Sequence, residues 1–387
     1  MGDIRRQWAD LPKELVEMIS EHLDSLIDIL QLRAVCTSWR SSVSLPSFDQ
    51  EIPLQILSLP FPFCVDVVLS RRLIYRLEVI NHNINCSSSV SKGWLIKVGE
   101  SRREKLKLLQ PISDFQVGYC SIPLDLLDLR FVELIQSFKL ELANPEGFSV
   151  FGVYKVIPFS LPESSSEEVD GIIAIIQGGK LGYWLVGDEY WEFLDDGDFR
   201  FDDIIEYKGQ LYVVDRLGTV FWIDSSWELI RYSPLLNSRG GRKTLVESCG
   251  DLYVVDRFLD GERNHEYETM ATRYRNINPD RRTCERYPKT IDIRVYKLDE
   301  EWGRWVDVKS LGDQVFVLGS DCSFSISSSE LDGGKGNCVY FTDDDEAGIS
   351  SNNVRIRMFQ LEDCSIKELD MSPQCSEIFW PPNVGST

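Results

Sequence analysis

An eight-residue phrase occurs twice in this chain with a single change. Gly209-Gln210-Leu211-Tyr212-Val213-Val214-Asp215-Arg216 returns as Gly250-Asp251-Leu252-Tyr253-Val254-Val255-Asp256-Arg257, an offset of 41. A looser copy lies at Gly336-Asn337-Cys338-Val339-Tyr340-Phe341-Thr342-Asp343, 86 residues after Gly250, and Gly171-Ile172-Ile173-Ala174-Ile175-Ile176 precedes the first copy by 38. Glycine opens such a run after a tight turn, and the closing aspartate can accept bonds from the amides of the next turn. Units of this kind at a period of about 40 to 50 residues are what β-propeller blades require, because one four-stranded meander cannot bury its faces alone. Within one unit, Gly209 to Asp215, Gly218 to Asp224 and Trp227 to Tyr232 give successive strands. The repeated Asp215 and Asp256 therefore read as structural residues before catalytic ones.

The same alphabet covers most of the chain beyond residue 50. Trp94-Leu95-Ile96-Lys97-Val98, Leu211-Tyr212-Val213-Val214, Val220-Phe221-Trp222-Ile223 and Val315-Phe316-Val317-Leu318 are β-branched and aromatic, and turn residues punctuate them. Blade spacing over residues 55 to 384 accommodates six or seven units. One segment is ambiguous: Leu126, Leu127, Phe131, Leu134 and Ile135, within Leu124 to Phe138, mix periods and fit either a helix or a strand pair.

The N-terminal segment follows helical rules. Asp10 can cap a helix, Pro12 sits in a first turn where it forfeits no hydrogen bond, and Glu14 lies at the positive end of the helix dipole. A helix is expected from near Leu11, with Leu11, Leu15, Ile19 and Leu23 in one apolar stripe and Met18 beside it. Ser25 or Asp28 can begin a second helix carrying Ile29, Leu30, Leu32 and Val35, and Thr37 can cap a short third one with Trp39 and Val43. Three helices in about forty residues cannot bury all this surface among themselves. The stripe must face a partner or cap the domain that follows.

Composition narrows the function classes. A chain of 387 residues suits one small module plus one large domain. Its net charge of −21 argues against nonspecific nucleic-acid binding, which depends on neutralising phosphates. Arg273, Arg275, Arg281, Arg282, Arg286 and Lys289 depart from that trend and form either a solvated insertion or a docking site for an acidic partner. The acidic runs Asp195-Asp196-Gly197-Asp198 and Asp343-Asp344-Asp345-Glu346 are solvated turns or readers of a basic target. Ten cysteines without a C-x-x-C pair, and only His22, His82 and His265 to join them, offer no zinc site and read as reduced thiols. Asn85-Cys86-Ser87 matches a glycosylation acceptor only in form. No run reaches the eighteen apolar residues of a membrane span, and Met1 to Arg6 precede no apolar signal core, so neither membrane insertion nor secretion is expected.

Two resemblances follow from these residues. Leu11-Pro12 with Leu15 and Ile19, and the ending Leu32-x-x-Val35-Cys36-x-x-Trp39-Arg40, resemble an F-box, the module that binds the Skp-type adaptor of a cullin-based ubiquitin ligase. Carried over by position, the adaptor-facing residues would be Leu11, Pro12, Leu15, Ile19, Leu30, Leu32, Val35, Cys36 and Trp39. Gly93 to Lys97, Leu108 to Ser113, Lys243 to Ser248, Trp305 to Asp313, Phe316 to Gly319, Ser323 to Ser325, Gly336 to Asp343 and the tail Phe379-Trp380-Pro381-Pro382 resemble a plant family in which an F-box precedes a KIB-type propeller. Gln110-Pro111 and the long basic stretch from Gly261 to Lys289 depart from its usual wording.

The expected organisation is an α+β multidomain chain: a small three-helix F-box at 7–46, a linker at 47–60, and an all-β propeller of six or seven blades at 61–384. The resemblance implies a substrate receptor of an SCF-type ligase, nuclear or cytoplasmic. Its F-box would hold the Skp-type adaptor and, through it, a cullin, while the propeller holds an unknown protein target. Catalysis would be proximity, with no catalytic residue, cofactor, metal, nucleic acid or membrane involved. The rival readings are a propeller scaffold without ligase assembly and a propeller enzyme using channel carboxylates or a metal. Scattered histidines and the lack of a clustered carboxylate pair tell against the enzyme.

Overall fold

The computed structural model describes Trp8 and residues 11–23, 26–44, 56–59, 63–80, 93–99, 107–113, 125–144, 150, 152–160, 169–194, 199–261, 288–343 and 356–369. Among these, three helices, α1 (Lys13–Ser20), α2 (Leu26–Ala34) and α3 (Thr37–Ser42), precede four hydrogen-bonded sheets. The first sheet contains β1 (Ile56–Leu59), β2 (Val65–Val79), β3 (Gly93–Gly99), β4 (Lys107–Leu109), β5 (Leu129–Leu142), β6 (Val153–Phe159), β7 (Gly171–Ile176), β8 (Lys180–Leu185) and β9 (Glu192–Phe193). Their order is β4-β3-β2-β5-β6-β7-β8-β9, with β1 also on β2. The second sheet is the meander β10 (Phe201–Tyr207), β11 (Gln210–Asp215), β12 (Val220–Ile223) and β13 (Leu229–Arg231). The third is the meander β14 (Arg242–Ser248), β15 (Asp251–Leu259), β16 (Thr290–Asp299) and β17 (Arg304–Val308). The fourth, ordered β19-β18-β20-β21-β22, holds β18 (Gln314–Leu318), β19 (Ser323–Ser327), β20 (Cys338–Thr342), β21 (Ile356–Gln360) and β22 (Ser365–Glu368).

The repeated phrase is the turn and second strand of a hairpin. Lys208-Gly209 and Cys249-Gly250 have φ of 50° and 75°, and 52° and 82°. Two successive positive φ values let a two-residue turn follow the right-handed twist of its strands, and glycine adopts such a φ without strain. Tyr207 then pairs with Gln210, and Ser248 with Asp251. The two aspartates diverge after their shared start. Asp215 ends β11 and accepts the Thr219 amide at 2.7 Å, as its place before a turn predicts. Asp256 lies inside the longer β15, where it accepts the Gly240 amide at 3.1 Å and faces the Lys243 ammonium at 3.0 Å. The looser copy at Gly336 opens β20, which pairs parallel to β18 instead of closing a hairpin.

The ambiguous segment is a short 3₁₀ turn, Leu126–Asp128, followed by one long strand, β5. Its mixed period has a physical cause. Ile74 faces Ile135 whereas Tyr75 faces Glu133, so Leu134 is a bulge residue and the apolar parity switches there. The first sheet divides where β5 and β6 share a single pair, Phe138 with Val156. The described strands thus form five blade-sized units where the period accommodates six or seven. Strands β2 and β5 run to 15 and 14 residues, longer than any other described strand.

Each unit buries its faces against its neighbours. Val67 and Leu140 meet Val156 and Ile172 across the division of the first sheet. Ile173 and Leu181 meet Ile204 and Phe221 of the second sheet. Tyr212 and Val214 then meet Leu245 and Val254 of the third. Val255 and Val295 meet Phe316 and Val339 of the fourth, whose other side packs Val315 and Tyr340 on Ile74 and Leu95. The circuit therefore returns to the first sheet.

Buried charges stitch the same junctions. The Lys155 ammonium meets Asp203 at 2.5 Å, and the Lys243 and Leu245 amides donate to Asp202 and Asp203 at 2.9 and 2.8 Å. The Arg257 guanidinium donates to the Thr342 carbonyl at 2.9 Å, and Asp343 accepts the Thr290 amide at 3.0 Å. Lys97, fully buried, meets Asp321 at 2.5 Å, and Ser137 donates to the other Asp321 oxygen at 2.7 Å. Burial alone would raise the Asp321 carboxyl, but Lys97 and Arg72 outweigh it and hold the group at about 2.

Helix α1 starts later than its sequence signals suggest, and α3 starts one residue earlier. A residue before proline is driven out of the α region, so Leu11 stays outside and Pro12, at ψ 143°, becomes the N-cap of α1. Its carbonyl accepts the Leu15 and Val16 amides at 3.1 and 3.3 Å; Asp10 lies outside the described residues. Helix α3 is capped by Cys36, whose Sγ accepts the Trp39 amide at 3.5 Å, and Thr37 is its first residue. Val16, Ile29, Trp39 and Val43 form the interior of the three-helix module, flanked by Leu11, Leu23, Leu32 and Cys36.

Two expected outcomes test this packing. Trp39→Ala should destabilise the module by about 3 to 5 kcal/mol, read in the full chain as lost amide-exchange protection in α1 and α3. Unchanged protection would show that the ring is not packed. Lys97→Met should cost about 3 to 5 kcal/mol in urea unfolding at pH 7, because it strands the buried Asp321 carboxylate. The folded value of Asp321 lies below the ordinary carboxylate value, so its pairing stabilises above about pH 4 and is lost as pH falls toward about 2. The gap between variant and wild type should narrow as pH falls and be smallest near about pH 2, where the wild-type carboxyl also takes up its proton. Equal stability at pH 7 would rule out the assigned role.

Candidate partner-docking face

Helix α1 carries apolar side chains on two sides, and only one side is used internally. Val16 is 1% exposed, while Leu15, Met18 and Ile19 are 46%, 55% and 39% exposed. Positions 15, 18 and 19 share a helix face, so these three form one open stripe. Val35, just past the last turn of α2, is 40% exposed. Ile19, Leu23, Leu32 and Val35 line a shallow depression together with Asp28, Gln31 and, from the β-domain, Leu127.

The nine residues carried over from the F-box pattern divide into three groups. Pro12, Leu15, Ile19 and Val35 lie on the open surface. Leu11, Leu30, Leu32 and Cys36 are half-buried, and Trp39 is turned inward. The single expected stripe of Leu11, Leu15, Ile19 and Leu23 is thus split, with its two ends packed inward beside Val16 and its middle left open. Sequence reasoning placed Met18 beside the stripe but did not single out Val16. Met18 stands three residues after Leu15, and Val16 stands seven before Leu23, with which it packs; those spacings carry the signal.

Helix α2 fixes this face to the β-domain. Ile27 enters a core with Leu73, Tyr75, Leu77, Ile96, Val98 and Leu129 on the outer end of β2, β3 and β5. Gln31 Nε2 donates to the Leu126 and Leu129 carbonyls at 2.9 and 2.7 Å. Neither residue carries a sequence signature for this role, since each is an ordinary occupant of an amphipathic helix.

Other chemistry is less well placed. Among the described residues, no group of three or more His, Cys, Asp or Glu is arranged to hold a metal. In the densest ionic set, Arg72 and Lys107 meet Glu141 at 2.9 and 3.2 Å beside the Lys97 and Asp321 pair, so carboxylates face cations as in a structural network. Burial pushes the adjacent Cys322 thiol up to about 12, which keeps it protonated and a poor nucleophile. Asp343, at the head of one acidic run, meets the Arg357 guanidinium at 2.6 Å. Asp344 to Glu346, Asp195 to Asp198, Asn85 to Ser87, Arg273 to Arg286 and Phe379 to Pro382 lie outside the described residues. Asp260 and Lys289 are joined directly: the Lys289 amide donates to the Asp260 side chain at 2.6 Å and the Asp260 amide to the Lys289 carbonyl at 2.9 Å.

Comparison with known proteins agrees with both halves of this architecture. Residues 8–55 match the F-box-like family model, and residues 66–360 match the KIB1-4 β-propeller model. F-box protein At4g35733 of Arabidopsis thaliana is 31% identical over 396 residues, covering 97% of this chain and 98% of the relative. F-box protein SKIP23 of the same plant is 30% identical over 407 residues, covering 97% and 94%, and F-box protein At2g17690 is 28% identical over 454 residues, covering 98% and 99%. An N-terminal module of three helices, a ring of blade-like sheets and these matches over nearly the whole chain together place the protein among the F-box proteins that carry a KIB1-4 β-propeller.

Proposed function

We propose that this chain is the substrate-recognition subunit of an SCF-type ubiquitin ligase, in which the F-box holds the Skp-type adaptor and the propeller holds the protein to be ubiquitinated. The observation that carries this reading is the open apolar stripe of Leu15, Met18 and Ile19 on a module whose interior is already complete without it. An apolar surface of this kind, next to a polar edge, is a liability in an isolated protein and an anchor in a complex. Through the adaptor the chain reaches a cullin, and the tethered target meets the ubiquitin-charged enzyme at high effective concentration. This role asks for rigidity between the two binding surfaces and for no nucleophile or cofactor in the chain. The working compartment we infer is the nucleus, the cytoplasm or both.

Co-purification with a Skp-type adaptor tests the reading. Wild type should form a stable one-to-one complex, and Leu15→Asp should lose at least about 30-fold in affinity, the equivalent of the 2 kcal/mol or more typical of an anchor. The variant should keep its fold, since Leu15 is already half open to water. Retained binding by Leu15→Asp, or no binding by wild type, would overturn the proposal.

A further inference from the structure

Leu127 belongs to the β-domain, yet it lines the depression whose other lining residues belong to the F-box. It is 40% exposed and sits in the middle of the Leu126–Asp128 turn. That turn is braced at four points. The Leu127 amide donates to Asp125 Oδ1 at 3.0 Å, the Ile80 amide donates to the Asp128 carbonyl at 2.8 Å, and Gln31 holds the carbonyls of Leu126 and Leu129. An exposed leucine is ordinary on a protein surface. A leucine on a braced turn, continuous with apolar side chains of a second domain, is a pre-organised contact, because the backbone that carries it is fixed before any partner arrives.

We infer that the β-domain supplies part of the adaptor-docking surface through Leu127, so that the adaptor's footprint crosses from the F-box onto the propeller. The occupant is an apolar helix face of the Skp-type adaptor, and the inference rests on the adaptor reading above. Two features select this occupant. The depression is continuous with the Leu15, Met18 and Ile19 stripe of the F-box, and Ile19 is a member of both. Its lining, five apolar side chains with Asp28 and Gln31, has the mainly apolar composition with a few polar groups that suits a groove seating a helix. A footprint spanning both domains also explains why Gln31 braces the turn from the helix side: the same residue positions the propeller and aligns the two parts of the docking surface.

The test uses the full chain and purified Skp-type adaptor, with affinities measured for wild type, Leu127→Ala, Leu127→Asp, Leu15→Asp and, as a remote control, Trp302→Asp, whose parent residue is 71% exposed on the β16–β17 turn. Melting temperatures of the Leu127 variants should match wild type, since the side chain is largely open. Leu127→Ala should weaken the adaptor about fivefold, Leu127→Asp about 30-fold or more, and Trp302→Asp should leave it unchanged. If Leu127→Asp binds like wild type while Leu15→Asp does not, the inference fails and the adaptor reading survives. If Trp302→Asp weakens binding as much as Leu127→Asp, the effect is not local and the inference fails. If Leu127→Asp alters self-association in sedimentation without changing adaptor affinity, the depression seats a second copy of the chain and the inference is overturned. If wild type does not bind the adaptor, both readings fall together.

Discussion

The pairing of β2 with β5 is the interaction on which the rest of the molecule depends. It runs from Val67 opposite Leu142 to Val79 opposite Leu129, far longer than the strand pairs of the other units. Because side chains alternate across a strand, Val67, Leu73, Tyr75 and Leu77 of β2 point to one face. The first part of that face is covered by the next unit of the ring, and the second part by Ile27 of the F-box. The opposite face carries Ile74 into the junction with the fourth sheet. One ladder thus joins the ring to itself and to the helical module, and the bulge at Leu134 keeps β5 in step with β2 along its length.

Apolar packing between the sheets is non-directional and would tolerate sliding. The buried carboxylates are directional. Asp202 and Asp203 take the first amides of β14, and Asp321 takes the ammonium of Lys97 and the hydroxyl of Ser137. Pairs of this kind contribute little net stability over well-packed apolar side chains, since desolvation offsets most of the Coulombic gain. Their effect here is registry: each sheet can meet its neighbour in only one position without leaving a buried charge unpaired. In the proposed receptor role this registry would fix the distance and angle between adaptor and target, on which proximity catalysis depends.

The F-box is completed from two directions. Its interior closes around Val16 and Trp39, and its second helix closes against the propeller through Ile27 and Gln31. A module of about forty residues has too little core to hold a fixed orientation alone. Docking on the long strands supplies it and leaves one apolar face open. Rigidity and an exposed anchor therefore have the same origin.

Much of this was legible in the residues. Glycine-led runs at blade spacing, a proline-led helix start and the Val35-Cys36 to Trp39-Arg40 ending identified a helical module followed by a propeller, because turn chemistry and amphipathic period are local properties. The runs at Trp94, Leu211, Val220 and Val315 all lie in strands for the same reason. Local reasoning failed where a second element decides the outcome. Whether Leu15 or Val16 faces inward depends on where α2 and α3 lie against α1, and a stripe of four leucine-like residues could not say which of them a neighbour would cover. Among the described strands, the lengths of β2 and β5 are set by what packs on them and not by their own propensity. By itself the sequence determined the two modules, their order and the residue types available for docking, since these follow from hydrogen-bonding and burial rules acting over a few residues. Only the tertiary structure decided that Trp39 supports the module from within, that Ile27 and Gln31 lock it to the propeller, and that Leu127 joins the open face, because each of these is a contact between segments far apart in the chain.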